Sequence, residues 1–153
     1  MKVLILIGSA SDRSIMAKAE AELAAFGVDY RLQVRSAHRT PTETVAAVQE
    51  AEADGCQVFI CGAGMAAHLA GAVAAHTSKP VIGVPISSGA LGGTDALYST
   101  VMMPPGMPVA TVAIDGSRNA ALLAIQILAL NDPDLTKKLC QMRREAAEKV
   151  LAA

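Results

Sequence analysis

The chain has 153 residues, 52% of them hydrophobic and 18% charged, with a net charge of −1. That length fits one domain able to bury about two-thirds of its unfolded surface without staples, and the near-neutral charge argues against the concentrated basic patch that a nucleic-acid partner needs. Two Tyr, two Phe and no Trp remove the usual stacking platforms for bases or a flavin ring, and no apolar run approaches the ~20 residues of a membrane span.

The first apolar run, residues 3–7, predicts a strand buried on both faces, and Gly8-Ser9-Ala10-Ser11-Asp12 follows it directly. This loop offers backbone amides and two hydroxyls to a phosphate, and a carboxylate to ribose hydroxyls or an amine. A plain helix cap by Ser11 or Asp12 explains it equally well. Ile15, Ala19, Leu23 and Phe26 then form one helical stripe, and Gly27 stands where that helix would stop. Residues 30–34, where Arg31 and Gln33 alternate with apolar neighbours, predict a strand nearer an edge.

Ser36-Ala37-His38-Arg39-Thr40-Pro41 comes next and sets an imidazole that titrates near neutral pH beside a permanent cation. That pairing suits proton transfer on an anionic ligand; the plain alternative is two solvated surface side chains. Thr40-Pro41 with Glu43 predicts a helix start with an N-cap, a proline in the first turn and a capping box.

Residues 58–61 predict another buried strand, and Gly62-Ala63-Gly64 a loop after it. His68 and Leu69 follow in an Ala-rich apolar stretch, where His68 reads first as a structural side chain and second as lining a site; His76 reads as structural. The histidines form no metal motif, so no metal is expected. Residues 81–84 and 109–114 predict two more strands, separated by flexible loops over 87–95 and 102–108 of the kind that often cover sites. The methionines of the second loop equally suit a subunit interface. Asp132-Pro133 starts a last helix with Leu135, Leu139, Met142, Ala146 and Val150 on one face, either an arm seeking a partner or a helix packed on its own domain.

Alternating strands and helices predict an α/β fold: a three-layer α/β/α sandwich on a doubly wound, parallel, flavodoxin-like sheet, with a C-terminal helical arm. Ligands of such sheets sit beyond the carboxyl ends of the strands. The three loops at 8–12, 36–39 and 62–64 therefore meet at one crevice. The sparse charge predicts a homo-oligomer. Cys56, Cys61 and Cys140, which suggest neither disulfides nor a Cys-x-x-Cys motif, and the lack of a signal-peptide pattern predict a cytoplasmic location.

Over nearly its whole length the chain closely resembles the PurE family of purine biosynthesis, the N5-carboxyaminoimidazole ribonucleotide mutases. The resemblance rests on Gly8-Ser9-x-Ser11-Asp12, Ser36-Ala37-His38-Arg39-Thr40-Pro41, Gly62-Ala63-Gly64 with Ala66-Ala67-His68-Leu69, and Asp95-Ala96-Leu97-Tyr98-Ser99 leading to Met103-Pro104. Met65 and Ala70 stand where many mutases have Gly and Pro. The resemblance implies that His38 is the general acid-base and that Ser9, Asp12 and Arg39 bind the ribonucleotide. Ser11, Ser36, Gly64, Ala66, His68 and Leu69 are further candidates for that site. It implies no cofactor and an octamer, and the apolar face of the last helix predicts a division into a catalytic unit over 1–130 and an arm over 131–153 that packs on a neighbouring subunit. Arg39-Thr40-Pro41 resembles the mutases more than the members that carboxylate aminoimidazole ribonucleotide directly with carbon dioxide, which are the rival enzyme. The rivals outside catalysis are a flavodoxin-like nucleotide-binding module and a structural oligomer.

Overall fold

A computed structural model describes residues 1–152, and its strands form where the chain is apolar on both faces. β1 (Val3–Ile7), β3 (Val58–Gly64) and β4 (Val81–Ile86) are buried almost throughout, whereas β2 (Tyr30–Val34) lies at an edge and mixes half-buried with exposed residues. With the short β5 (Ala110–Thr111) they make a five-stranded parallel sheet of order β2-β1-β3-β4-β5. This is the flavodoxin-like order, in which the winding reverses between β1 and β3 and opens a crevice beyond their carboxyl ends.

Helices α1 (Arg13–Phe26), α2 (Pro41–Ala53), α3 (Leu69–Ala74), α4 (Thr94–Val101), α5 (Ser117–Ala129) and α6 (Pro133–Leu151) cover both faces. Because successive strand residues point to opposite sides, β1 splits the core in two. Val3, Ile5 and Ile7 pack with Met16, Ala19 and Leu23 of α1 and Ala124 and Ile125 of α5. Leu4 and Leu6 pack with Ala47 and Val48 of α2 and Leu69 and Val73 of α3. Burying each large apolar side chain contributes about 1.5–3 kcal/mol, so the two layers together fix the sheet between them.

Several local expectations hold and several need correction. Gly27 ends α1 in the left-handed conformation, φ 74°, and Pro41 opens α2. The capping box expected at Thr40 and Glu43 does not form. The Thr40 hydroxyl instead accepts from the Ser36 amide at 2.9 Å and donates to the Ser36 carbonyl at 3.1 Å, closing the turn that carries His38. Gly62-Ala63-Gly64 is not a loop but the end of β3, paired with β4 through Ala63 to Pro85 and Gly64 to Ile86. A strand over 109–114 shrinks to Ala110–Thr111, although Val112 and Asp115 still donate to the Gly83 and Pro85 carbonyls. Pro85 has no amide to donate in return, which ends the ladder there. Helix α4 begins inside the loop expected over 87–95. Helix α5 was not delineated by any cap, and its half-buried Leu122, Leu123 and Ile127 blur the stripe formed by Ala120, Ala121, Ala124, Ile125 and Leu128.

Asp132 caps α6 by accepting from the Asp134 and Leu135 amides at 3.1 and 3.2 Å. Leu135 and Leu139 join the core, and the Lys138 ammonium donates to the Phe26 carbonyl at 2.8 Å. Beyond the half-buried Met142 the helix is exposed, including Ala146 and Val150. The final residue of the arm expected over 131–153 lies outside the described residues. Among the described residues no helix is long and apolar enough to cross a membrane.

Candidate active site

The chain leaves β1 through a single 3-10 turn, Ala10–Asp12, before α1 begins. Ser9 and Asp12 form a capping box: the Asp12 carboxylate accepts from the Ser9 amide at 3.0 Å, and the Ser9 hydroxyl accepts from the first turn. The Ser11 hydroxyl donates to the Ser9 hydroxyl at 2.9 Å. The structure thus realises the capping reading of Asp12 without removing it from the crevice, because Ser9, Ser11 and Asp12 all line that space. Burial pushes the Asp12 carboxyl above its ordinary value, against the Ser9 and Ser11 hydrogen bonds and the nearby Arg39 charge, which pull it down.

The second loop leaves β2 as a turn that exposes His38 and Arg39. The Ser36 hydroxyl accepts from the Arg39 amide at 3.2 Å and from Arg39 Nε at 3.4 Å, and a terminal guanidinium nitrogen donates to the Gly8 carbonyl at 3.0 Å. Arg39 therefore ties the second loop to the first while most of its N–H donors remain free for an anion.

The end of β3 supplies the floor. A Cβ on Gly62 would lie 2.8 Å from Met16 Sδ, and one on Gly64 would collide with the Ser88 hydroxyl and lie 3.2 Å from the Ile86 carbonyl oxygen. Glycine at both positions lets these neighbours approach this closely. Met65 then takes a left-handed conformation, φ 54°, which explains why glycine suits this position in the family it resembles. Ala70 falls in the first turn of α3, where a proline also costs no intrahelical hydrogen bond.

His68 is not within a helix but at the N-cap of α3, and it is exposed. Its ring stacks on His38, with centroids 5.5 Å apart and planes 13° from parallel. One crevice of about 520 Å³ brings together Ser9, Ser11, Asp12, Ser36, His38, Arg39, Gly64, Ala66, His68 and Leu69. Gly8, Ala37, Ala63, Met65 and Ser88 complete its wall. Ser88 lies in the loop expected over 87–95 to cover a site, without having been singled out within it. The signal was available, since Ser88 follows the carboxyl end of β4 as the other loops follow theirs.

This crevice, at the reversal of the winding, combines a phosphate-sized set of hydroxyls, a free guanidinium edge and two imidazoles on one side of a small-residue floor. It can hold an anion at one end and move a proton a few ångströms away. The model of the family described as AIR carboxylase matches residues 2–149. The chain is 53% identical to the N5-carboxyaminoimidazole ribonucleotide mutase of Pyrococcus abyssi, over 94% of this chain and 83% of that protein. It is 47% identical to the mutase of Escherichia coli K12, over 98% of this chain and 90% of that protein. The crystal structure of Treponema denticola PurE superposes with a TM-score of 0.90 at 34% identity, covering 98% of this chain and 94% of that one. A family match that runs almost end to end, with relatives about half identical over nearly the whole chain, places the chain in the AIR carboxylase family.

Proposed function

We propose that this protein is an N5-carboxyaminoimidazole ribonucleotide mutase of purine biosynthesis, an isomerase that moves a carboxylate from the exocyclic nitrogen to ring C4. Relatives of that name, about half identical over nearly the whole chain, support the reading. The observation that carries it is the position of His38, next in the chain to the anion-binding Arg39 and stacked on His68 in the same crevice.

In this reading Arg39, Ser9 and Ser36 hold the phosphate, Ser11 supports Ser9, and Asp12 takes ribose hydroxyls. The carbamate C–N bond breaks, its electron pair stays on nitrogen, and carbon dioxide is released while His38 delivers a proton to that nitrogen. The electron-rich C4 attacks the retained carbon dioxide, a C–C bond forms, and the imidazole removes the proton from C4. One histidine thus returns to its starting state. Gly64, Ala66 and Leu69 shape the floor beneath the imidazole, and His68 limits the rotation of the His38 ring. Holding the fragments together supplies the effective concentration that a released gas would lose. The isomerisation exchanges no electrons and calls for no group carrier.

The exposed Leu91, Tyr98, Val101, Met102 and Met107 on and around α4, together with the exposed second half of α6, support an octamer in which residues 1–130 form the catalytic unit and 131–153 reach a neighbouring subunit. The three free cysteines, two of them buried, suit a cytoplasmic location. The test of the reaction offers purified protein N5-carboxyaminoimidazole ribonucleotide, then aminoimidazole ribonucleotide with bicarbonate. Conversion of the first to the C4 carboxylate at a far higher rate supports the mutase; preference for the second assigns the direct carboxylase. His38→Asn is expected to bind ribonucleotide and lose turnover by about a hundredfold or more, and retained turnover would remove His38 from its role. Sedimentation as a monomer at micromolar concentration would exclude the octamer.

A further inference from the structure

The Ser88 hydroxyl has no part in the roles given above, yet it lines the crevice. Its oxygen is buried and makes no hydrogen bond with any described residue. Native proteins rarely leave a buried hydroxyl unpaired, because the lost contact with water is not recovered. Two features keep it there. Gly64 has no side chain, and any Cβ at that position would displace the hydroxyl. The neighbouring Ser87 is clamped by Asp115, whose carboxylate accepts from the Ser87 amide at 2.8 Å and from the Ser87 hydroxyl at 2.5 Å. Asp115 does this from a left-handed backbone, φ 58°, and its own amide donates to the Pro85 carbonyl at 2.9 Å. Strain of this kind persists where the surroundings impose it, and it gathers around functional sites.

The sheet order assigns Ser88 an end of the ligand. Arg39 and Ser36 follow β2, Ser9 follows β1, and Ser88 follows β4, three strand positions from β2. At about 4.8 Å per strand that separation is comparable with an extended nucleoside monophosphate. With the phosphate at Arg39 and Ser9, and the His38 ring turned toward His68 at the carboxyl end of β3, the reacting base lies between the imidazoles and Ser88. We propose that Ser88 is a substrate-contacting residue that donates its hydroxyl proton to an oxygen of the migrating carboxylate, and that Asp115 is the positioning residue that holds it there through Ser87. The inference rests on the mutase reading of the same crevice and adds to it a holder for the fragment in transit. A hydroxyl donating to a carboxylate makes a charge-assisted hydrogen bond, stronger than a neutral one.

The experiment compares wild type, Ser88→Ala, Asp115→Ala and Asp115→Asn on N5-carboxyaminoimidazole ribonucleotide, following both the C4-carboxylated product and free aminoimidazole ribonucleotide that escapes without its carboxylate. Ser88→Ala is expected to lower kcat about tenfold to a hundredfold, with KM little changed and a larger escaping fraction. Its melting temperature should equal or exceed that of wild type, because the hydroxyl removed had no partner in the free protein. Asp115→Ala should shift kcat and escape in the same direction, and Asp115→Asn should recover most of the loss, since Asn tolerates a left-handed backbone and keeps an acceptor for the Ser87 amide. Wild-type kcat and escape in Ser88→Ala would overturn the contact. A drop in its melting temperature with unchanged escape would assign Ser88 a structural role and likewise overturn it. Equal behaviour of the two Asp115 variants would overturn the positioning. Failure of wild type to convert the ribonucleotide would instead strike the mutase reading.

Discussion

The two ends of the sheet carry clefts of nearly equal size, about 520 Å³ beyond the carboxyl ends of the strands and about 530 Å³ at the amino ends. Volume does not separate them, but the state of their polar groups does. At the amino end the carboxylates are engaged in building the fold: Asp29 lies 3.4 Å from the terminal ammonium and Asp132 caps α6. Lys2 and Lys79 extend into solvent there. At the carboxyl end Arg39 keeps free donors, two imidazoles stack without sharing a hydrogen bond, and Ser88 is unpartnered. A site announces itself by hydrogen-bonding capacity that folding has left unspent.

The largest test of that contrast removes one cation from each end. Arg39→Ala should raise KM for the ribonucleotide about tenfold to a hundredfold, the scale of losing charge-assisted hydrogen bonds to an anion. Lys79→Ala should leave steady-state kinetics within about twofold, because a solvated surface charge contributes little. Equal losses in both variants would erase the distinction between the two clefts.

A smaller effect separates the two duties of Asp12. Burial raises its carboxyl above the ordinary 3.8, so the folded state holds the proton more tightly than the unfolded chain. The sign follows from linkage: this contribution to stability is complete below 3.8 and is lost as pH rises through the raised folded value. Asp12→Asn retains an acceptor for the Ser9 amide but cannot ionise. In thermal melts it should match or slightly exceed wild type at neutral pH, with the gap closing in acid, while ribonucleotide binding weakens several-fold. A large destabilisation at neutral pH would mean that the charged cap outweighs the cost of burial.

The smallest effect belongs to Met65. Its left-handed backbone is costly for a side chain bearing a Cβ, whereas glycine gives up more chain entropy on folding. Met65→Gly should therefore stabilise the protein by about 1 kcal/mol at most, read as a denaturation midpoint at or just above that of wild type. A clear loss would show that the packing of the Met65 side chain outweighs the cost of its left-handed backbone.

The layered core was legible because burial on both faces leaves an uninterrupted apolar run, as in residues 3–7 and 81–84, and because Gly27 and Pro41 have backbone preferences that act locally. Legibility failed where two local patterns compete for one side chain, and where a residue's partner is distant in sequence. The Thr40 hydroxyl closes onto Ser36 instead of capping α2, which no capping pattern distinguishes. The end of β3 looked like a loop because small residues signal flexibility, whereas here Met16 and Ser88 crowd those positions from 46 and 24 residues away in numbering. Helix α5 lacked a readable start, and β5 was cut short by the missing amide of Pro85 on the neighbouring strand.

By itself the sequence determined the strand and helix alternation, the parallel sheet that this alternation requires, and the residue types able to bind an anion and move a proton. These depend on local backbone preference and on the period of burial, both of which are written along the chain. Only the tertiary structure decided that His38 stacks on His68, that Arg39 reaches back to Gly8, and that Ser88 faces Gly64 with its hydroxyl unspent. Those relations depend on which strand ends become neighbours when the winding reverses between β1 and β3, and on how closely the loops beyond them can approach.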